Sequence, residues 1–521
     1  MKPFNAPPAI VAARAWRAQV VAVFRSHTFL LLLLAGQYAL VQALTGVQYG
    51  DAPRNLHWGI LTAENPAFLL GAPDTYERIK GFPPDPPSLA PLALHRFPQA
   101  GLHRWWGPVA PALFGLVWAT TGSYTALQLV VPLAGAGVVL LTYQMGRLWL
   151  ARREALIGAA FLACFPLFRD YATVSYTEAL SALALTAALL AHCRGRTGIT
   201  VLLGGITALM KLDLLLLYFG AITVAAGYVA LDRRRSLRAS VPAGSPAEQP
   251  RPVLHHIAAL AGPAIIATPW VWYHYLDRGM GAPASGMSLA QFGLVAPQML
   301  ELLFYVPWYG ATLTLAIIGV TATAGLRSGA FPPLARAMLL AWFGLGLVVV
   351  LVYAATPGAG NSPRIIIPAL PPLALMVAAG LARLATAWRR RIGFYLVVLF
   401  TLINLVTIGY YAIEGARLRS YAPVWHVLRE LPRGYVLTEA YWPAILYARQ
   451  PATWFEFDEA FQRNIMYDAD HFARYFEQHP IAYVVLPADD GVLASADVRA
   501  YLEQRTERRD AGNYVVYLRR P

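Results

Sequence analysis

A chain whose apolar runs repeatedly approach the thickness of a bilayer, with arginines gathered in the gaps between them, can fold in few ways. Such runs follow one another at 28–44, 124–146, 155–168, 178–193, 198–210, 213–231, 255–274, 305–325, 337–355, 365–383 and 393–412. A helix needs about 20 apolar residues to cross the hydrocarbon core. In lipid every backbone polar group must find its partner inside the protein, which makes the helix the natural spanning element. Composition agrees, since 57% hydrophobic and 13% charged residues, with a mean hydropathy of +0.47, leave too little polar surface to coat a soluble body. The sequence predicts a polytopic α-helical membrane protein of about eleven transmembrane helices, plus interfacial helices in the first outer loop, with a small C-terminal soluble α/β domain.

A net charge of +14 would suit nucleic acid, but the arginines cluster between apolar runs as they do in cytoplasmic loops, so no nucleic-acid partner is expected. Residues 1–27 carry Lys2, Arg14, Arg17 and Arg25 and read as a cytoplasmic lead-in, without the small-residue cleavage site of a removable signal peptide. Residues 46–104 read as a long outer loop. The segment 107–121 is apolar but short and holds Pro108 and Pro111, so it reads as an interfacial helix. Were it to span, Arg147, Arg152 and Arg153 would lie outside, against the positive-inside bias. An odd number of spans then places the N-terminus in the cytoplasm and the C-terminus in the periplasm of a bacterial-type inner membrane.

The chain divides into a membrane domain, 1–412, whose outer loop is 46–122, and a periplasmic α/β domain, 413–521. In the second, runs with strand character at 435–438, 453–457, 482–486 and 514–518 alternate with helical stretches at 421–431, 468–478 and 496–504. The loop 232–252 mixes Arg233, Arg234 and Arg235 with Ser, Pro, Ala and Gly and reads as a disordered linker. Cys164 and Cys193 fall near opposite ends of adjacent expected helices, too far apart for a disulfide, and no redox or zinc motif is present.

Cations on the outer side need a reason to be there, and the candidates are Arg54, Arg78, Lys80, Arg96, Arg104, Arg169, Lys211, Arg278 and Arg364. The outer carboxylates are Asp51, Asp170 and Glu178. Asp51 stands where the first helix leaves the lipid, a costly place for a charge without a use, and reads as a catalytic base rather than a helix cap. Glu178 opens a helix, where a carboxylate suits the dipole, and stays divided between cap and site. Asp170 reads as solvated or paired with Arg169, and its claim to be the functional acid of that loop is the lesser one. Lys211 beside Asp213 is either a structural pair or a phosphate ligand, and Arg364 is a second phosphate candidate. His57 and His103 read as loop histidines; nothing requires a cofactor, and no spacing supports a divalent metal. Trp105, Trp106, Trp270, Trp272 and Trp308 are expected interfacial anchors. No P-loop, GxGxxG turn, HExxH or GxSxG occurs, so nucleotide chemistry is not expected. One carboxylate and several cations beside lipid suit sugar transfer from a lipid phosphate: the base takes the acceptor's proton, and the cations hold the leaving phosphate.

The order of these features resembles the GT-C superfamily of polyprenyl-phosphate-dependent glycosyltransferases, which includes protein O-mannosyltransferases and the aminoarabinose transferase of lipid A. The residues that carry the likeness begin with Gly50-Asp51 after the first span and His103-Arg104-Trp105-Trp106 leading to a helix that closes at Gly122. They continue with Ser175-Tyr176-Thr177-Glu178, Gly204-Gly205 before Met210-Lys211, Pro269-Trp270, and Arg364 ahead of Pro368, Pro371 and Pro372. The likeness covers roughly 28–385. It implies an inverting enzyme embedded in the lipid bilayer, whose partners are a polyprenyl-phosphate-linked sugar donor and an extracytoplasmic acceptor hydroxyl. Asp51 and Glu178 would be catalytic, Arg54, Arg104, Lys211 and Arg364 would bind the donor phosphate, and Asp170 and His103 would lie toward the acceptor. The alternatives are a transporter or flippase, which would show internal repeats with paired broken helices, and an O-antigen ligase or polymerase, whose key charges would sit in a later loop.

Overall fold

The computed structural model describes residues 27–49, 52–70, 107–239, 253–272, 289–355, 363–453, 457–458, 463–478, 481–488 and 494–520. The first helix, α1 (His27–Thr45), shows why these helices need lipid. It turns Leu31, Ala35, Tyr38, Gln42 and Thr45 inward at helical spacing and leaves Leu32, Leu33, Leu40 and Leu44 exposed. Two polar residues face in and four leucines face out, the reverse of a soluble amphipathic helix.

α2 (Ala52–Glu64) and α3 (Val109–Thr121) pack on each other, and α4 (Tyr124–Gly146) runs back beside α1. Then follow α5 (Arg152–Cys164), α6 (Pro166–Thr173), α7 (Glu178–Cys193), α8 (Thr197–Ala208), α9 (Leu212–Ala239) and α10 (Val253–Val271). The last group is α11 (Leu289–Phe304), α12 (Trp308–Arg327), α13 (Pro333–Ala355), a 3-10 turn at Pro363–Ala369, α14 (Leu370–Arg383) and α15 (Thr386–Ser420). Among the described residues eight helical stretches are long and apolar enough to cross a membrane, or up to nine if the bent pair α5 and α6 is one span. Within α14 and its preceding turn 94% of the spanning window is buried, so this element is the axis of the bundle.

Several elements differ from their sequence expectation. The start of the expected outer loop is helical, because Leu56, Trp58, Ile60 and Leu61 of α2 are buried while Arg54 and His57 interrupt the apolar pattern that would have revealed it. A Cβ on Gly59 would meet Phe114 of α3 at 2.2 Å, so glycine permits that contact. The run 155–168 is broken: α5 and α6 meet at a 66° bend at Pro166, which lacks the N–H that would continue the helix. The runs at 178–193 and 198–210 form α7 and α8 of 16 and 12 residues, the latter only about 18 Å long at 1.5 Å per residue. α9 continues through 232–239, the first part of the expected linker; residues 240–252 lie outside the described residues. α11 occupies part of an expected outer loop. α15 has 35 residues and passes residue 412 without a break, so the tail begins as its continuation.

The tail is a mixed five-stranded sheet in the order β2-β1-β5-β7-β6, formed by β1 (Tyr435–Leu437), β2 (Ala452–Thr453), β5 (Ile481–Pro487), β6 (Thr506–Ala511) and β7 (Tyr514–Arg519). β1 pairs parallel with β2 and β5, while β7 pairs antiparallel with β5 and β6. A small hairpin joins β3 (Phe457–Asp458) and β4 (Arg463–Asn464). Val436, Val485, Val516 and Leu518 pack with Trp425 and Leu428 of α16 (Ala422–Glu430). Leu437, Val484, Leu486 and Val515 pack with α17 (Ala469–Gln478) and α18 (Ala496–Arg505) on the other face. β6 has no strand signature in the sequence because Glu507, Arg508, Arg509 and Asp510 are all exposed; such charge on an edge strand also discourages further pairing.

The tail rests on the bundle end that holds the C-terminus of α1. Arg419 donates to the Thr45 carbonyl at 2.7 Å, Tyr124 to Leu446 O at 3.0 Å, and Gln128 to the Tyr447 hydroxyl at 2.8 Å, while Arg449 pairs with Glu64 at 2.8 Å. At the opposite end Arg194 reaches Gln144 at 3.0 Å and His192 stacks on His255. Inside the bundle α12 and α14 touch backbone to backbone: a Cβ on Gly325 would lie 2.0 Å from Met376 O, and one on Gly380 would lie 1.8 Å from Thr321 O. Gly380→Ala should therefore cost about 1–3 kcal/mol as an overpacked interface, seen as a lower melting temperature in detergent. Gly344→Ala, with nothing within 4 Å of its Cβ, should leave that temperature unchanged; equal effects of the two would contradict the close contact.

Candidate functional site

Glu178 is the first residue of α7 and is 1% exposed. Its Oε1 lies 3.6 Å from Lys211 Nζ and 3.4 Å from Arg364 Nε. Lys211 also faces Asp213 Oδ2 at 3.7 Å. Among the described residues, two carboxylates and two cations, drawn from residues 178 to 364, thus form one largely buried set with formal charges in balance. Because both cations are within 3.6 Å of one oxygen, their heads are close enough to share a single phosphate.

Local sequence places each member. Lys211 stands in the turn between α8 and α9, and the turn is braced from outside: Gly107 N–H donates to Met210 O at 3.0 Å, and a Cβ at Gly107 would lie 1.6 Å from Leu209 O. Only glycine permits that approach. Arg364 sits in the 3-10 turn at Pro363–Ala369, where Pro368 limits regular helix. The indole N–H of fully buried Trp342 donates to Pro368 O at 2.9 Å and fixes that turn. The Arg364 guanidinium lies over the Tyr176 ring at 5.0 Å, a cation–π contact.

Asp170, eight residues before Glu178, is neither solvated nor paired with Arg169. It is 6% exposed and accepts hydrogen bonds from the hydroxyls of Tyr49, Tyr305 and Tyr411. Arg169 turns away and donates to Asn404 O at 2.7 Å. These tyrosines come from the segment after α1, the residue after α11 and the C-terminal third of α15, so no local spacing announces them. Tyr305 has φ of 52°, a left-handed conformation costly for a residue with a Cβ. Tyr49 packs edge-on against Tyr176 at 6.1 Å, which joins the Asp170 cluster to Arg364 and hence to Glu178.

The loop between the two acids is tied down and polar. Asn55 donates to Ser175 O at 3.0 Å, and Ser175 N–H donates to Gln48 at 3.2 Å. Ser175 Oγ, Thr177 Oγ1, Ser181 Oγ, Asp213 Oδ1 and both Glu178 oxygens are buried without a hydrogen-bond partner among the described residues. Buried polar atoms are satisfied in more than about nine cases in ten, so this concentration suits a polar guest. Arg54, on α2, lies over Trp58 at 4.7 Å. Asp51, His103 and Arg104 lie outside the described residues. Among the described residues no group of three or more His, Cys, Asp or Glu side chains could hold a metal ion.

The structure thus brings together Glu178, Lys211 and Arg364, keeps Asp213 beside Lys211, and adds Tyr176. Sequence reasoning missed the tyrosines around Asp170 altogether.

No family model and no curated protein matches the chain. Among solved structures it is similar to ArnT from Cupriavidus metallidurans in the apo state, with 14% identity over 97% of this chain and 98% of that one and a TM-score of 0.56. It is also similar to ArnT from the same organism bound to undecaprenyl phosphate, with the same identity and coverage and a TM-score of 0.53. At that identity the likeness is one of fold alone.

The coupling inside the charged set can be measured. Lys211→Met leaves Asp213 without its cation and should cost about 3–5 kcal/mol, as breaking a buried pair does. Combined with Glu178→Gln, the loss should fall short of the sum of the single losses by about 0.5–3 kcal/mol. Additive losses in unfolding experiments in detergent would mean that the two side chains do not interact.

Proposed function

We propose that the chain is an inverting membrane glycosyltransferase that moves a sugar from a polyprenyl-phosphate donor to a cell-envelope acceptor hydroxyl on the extracytoplasmic side. The observation that carries this reading is the convergence of Lys211 and Arg364 on one buried carboxylate oxygen. The set belongs to a fold shared with an ArnT structure bound to undecaprenyl phosphate.

In this reading Lys211 and Arg364 hold the phosphate whose charge grows as the sugar–oxygen bond breaks, a preorganised electrostatic contribution. Arg54 and Arg104 are assigned to the donor phosphate as well. The phosphate leaves as an anion and needs no proton from a general acid. Asp51 takes the proton of the attacking hydroxyl. Glu178 keeps the two cationic heads together before the donor arrives, and the hydroxyls of Ser175, Thr177 and Ser181 offer hydrogen bonds to the sugar. Asp170 and His103 are assigned to the acceptor side, Asp170 through the tyrosines it holds. Attack by an acceptor hydroxyl opposite the leaving phosphate inverts the anomeric carbon.

The orientation follows from charge. Arg147, Arg152, Arg153, Arg194 and Arg196 collect at the end away from the tail, which the positive-inside rule assigns to the cytoplasm. Reporter fusions after residues 240 and 390 should read cytoplasmic and fusions after 80, 360 and 500 periplasmic. A cytoplasmic reading at 500 would place the site on the wrong side for this chemistry.

Transfer itself is tested by mass spectrometry of envelope glycans with and without the protein, and by variants assayed with polyprenyl-phosphate-linked sugars. Asp51→Asn should preserve expression and donor binding while lowering turnover by about 10²-fold to 10⁴-fold, the usual contribution of a general base. Lys211→Ala or Arg364→Ala should weaken donor use, and Glu178→Gln should cause a partial loss. Near-normal turnover in Asp51→Asn together with a dead Glu178→Gln would move the base to the second outer loop.

A further inference from the structure

Where the tail meets the membrane helices there is a cavity of about 550 Å³, a volume ordinary for a small-molecule site. It shares no residue with the charged set around Glu178. Its walls come from the C-terminal end of α1, the start of α4, the end of α15 and α16. Two arginines line it, Arg419 and Arg429, and among the described residues no Asp or Glu does.

The two arginines are held by main chain rather than by carboxylates. Arg419 Nη1 donates to Thr45 O, and Arg429 Nε donates to Tyr447 O. Neither has an ion pair among the described residues, so two guanidinium charges sit in one cavity with donors to spare. A guanidinium fixed in this way is preorganised for an oxyanion such as phosphate.

Gln42, Thr125, Gln128, His426 and Tyr447 add polar atoms to the wall, and leucines complete it on the side of the lipid-facing surface. Leu44 is on the rim and 71% exposed, and Leu40, one turn earlier on α1, is 59% exposed. Leu129 of α4 and Leu418 of α15 add to the same side. Cations above and leucines below, at the level where α1 ends, match the division of a phospholipid between headgroup and acyl chain. Inorganic phosphate would make no use of the leucines.

We propose that this cavity binds the headgroup of an anionic phospholipid from the leaflet on the tail's side, with an acyl chain lying along the exposed leucines of α1. A bound lipid would seal the junction between α1, α4 and the tail.

The test uses the full-length protein in detergent, read by native mass spectrometry and melting temperature, with phosphatidylglycerol, phosphatidylcholine and inorganic phosphate as probes. Phosphatidylglycerol should remain bound and raise the melting temperature; the other two should do neither. Arg419→Gln with Arg429→Gln should weaken phosphatidylglycerol binding roughly thirtyfold, the combined effect expected of two interfacial arginines. Because both arginines also brace the backbone, Gln128→Glu is the second variant. It can accept a hydrogen bond from the Tyr447 hydroxyl in place of the present contact, and it puts a negative charge into the wall. It should lose phosphatidylglycerol while the lipid-free protein melts as before. Equal retention of phosphatidylglycerol by wild type and Gln128→Glu, or equal binding of phosphatidylcholine, would overturn the proposal. Stabilisation by inorganic phosphate alone would assign the cavity to a free anion and overturn the lipid.

Discussion

The end of the bundle that carries the tail depends on one buried carboxylate and the three phenols that close on it. Lipid supplies no hydrophobic force to hold helices together, so packing and interhelical hydrogen bonds carry more of the specificity. Asp170 on α6 accepts from Tyr49 after α1, Tyr305 after α11 and Tyr411 in α15. A single side chain therefore ties together elements from four distant parts of the sequence. Tyr305 keeps its left-handed backbone in this arrangement, a local cost set against a hydrogen bond made at long range. The bend at Pro166 belongs to the same arrangement: it separates α6, with Asp170 on it, from the line of α5.

From that knot the polar surface continues without a gap toward the charged set. Tyr49 leans on Tyr176, Tyr176 lies under Arg364, and Arg364 shares Glu178 with Lys211. Among the described residues the set is balanced in charge, which keeps it tolerable in a medium where an isolated ion costs several kcal/mol. Balance also makes it responsive. In the proposed reaction a phosphate would compete with Glu178 for two cations already gathered, and would need little rearrangement of lysine and arginine to be received.

Much of this is legible in the chain itself. Apolar run length and arginine placement point to the membrane body, and alternation after residue 435 points to β1, β5 and β7 of the tail. Lys211 and Arg364 stand out because each puts a charge where lipid or topology disfavours it, Glu178 reads equally as a cap or a site residue, and the three are neighbours in the fold. The features that escape are those with no local signature. A tyrosine at 305 or 411 is an ordinary interfacial aromatic until the fold brings a carboxylate to it. Arg169 looks like the partner of Asp170 because it is adjacent, yet neighbours on a helix point in different directions, and Arg169 reaches Asn404 instead. The helix α2 is hidden by Arg54 and His57 in its first two turns, and β6 by its unbroken run of charges.

The continuity of α15 has a geometric consequence. At 1.5 Å per residue its 35 residues extend roughly 52 Å, about 20 Å more than a hydrocarbon core, and the surplus carries the tail like a mast. Along a rigid helix height and heading are linked, because each added residue lifts the domain beyond it by about 1.5 Å and swings it by about 100°. The tail, meanwhile, is moored to α1 and α4 by Arg419, Tyr124 and Gln128. The helix between the lipid and Ser420 is therefore phase-locked: its residues can be exchanged for other helix formers, but their number cannot change by one without turning the tail away from its moorings.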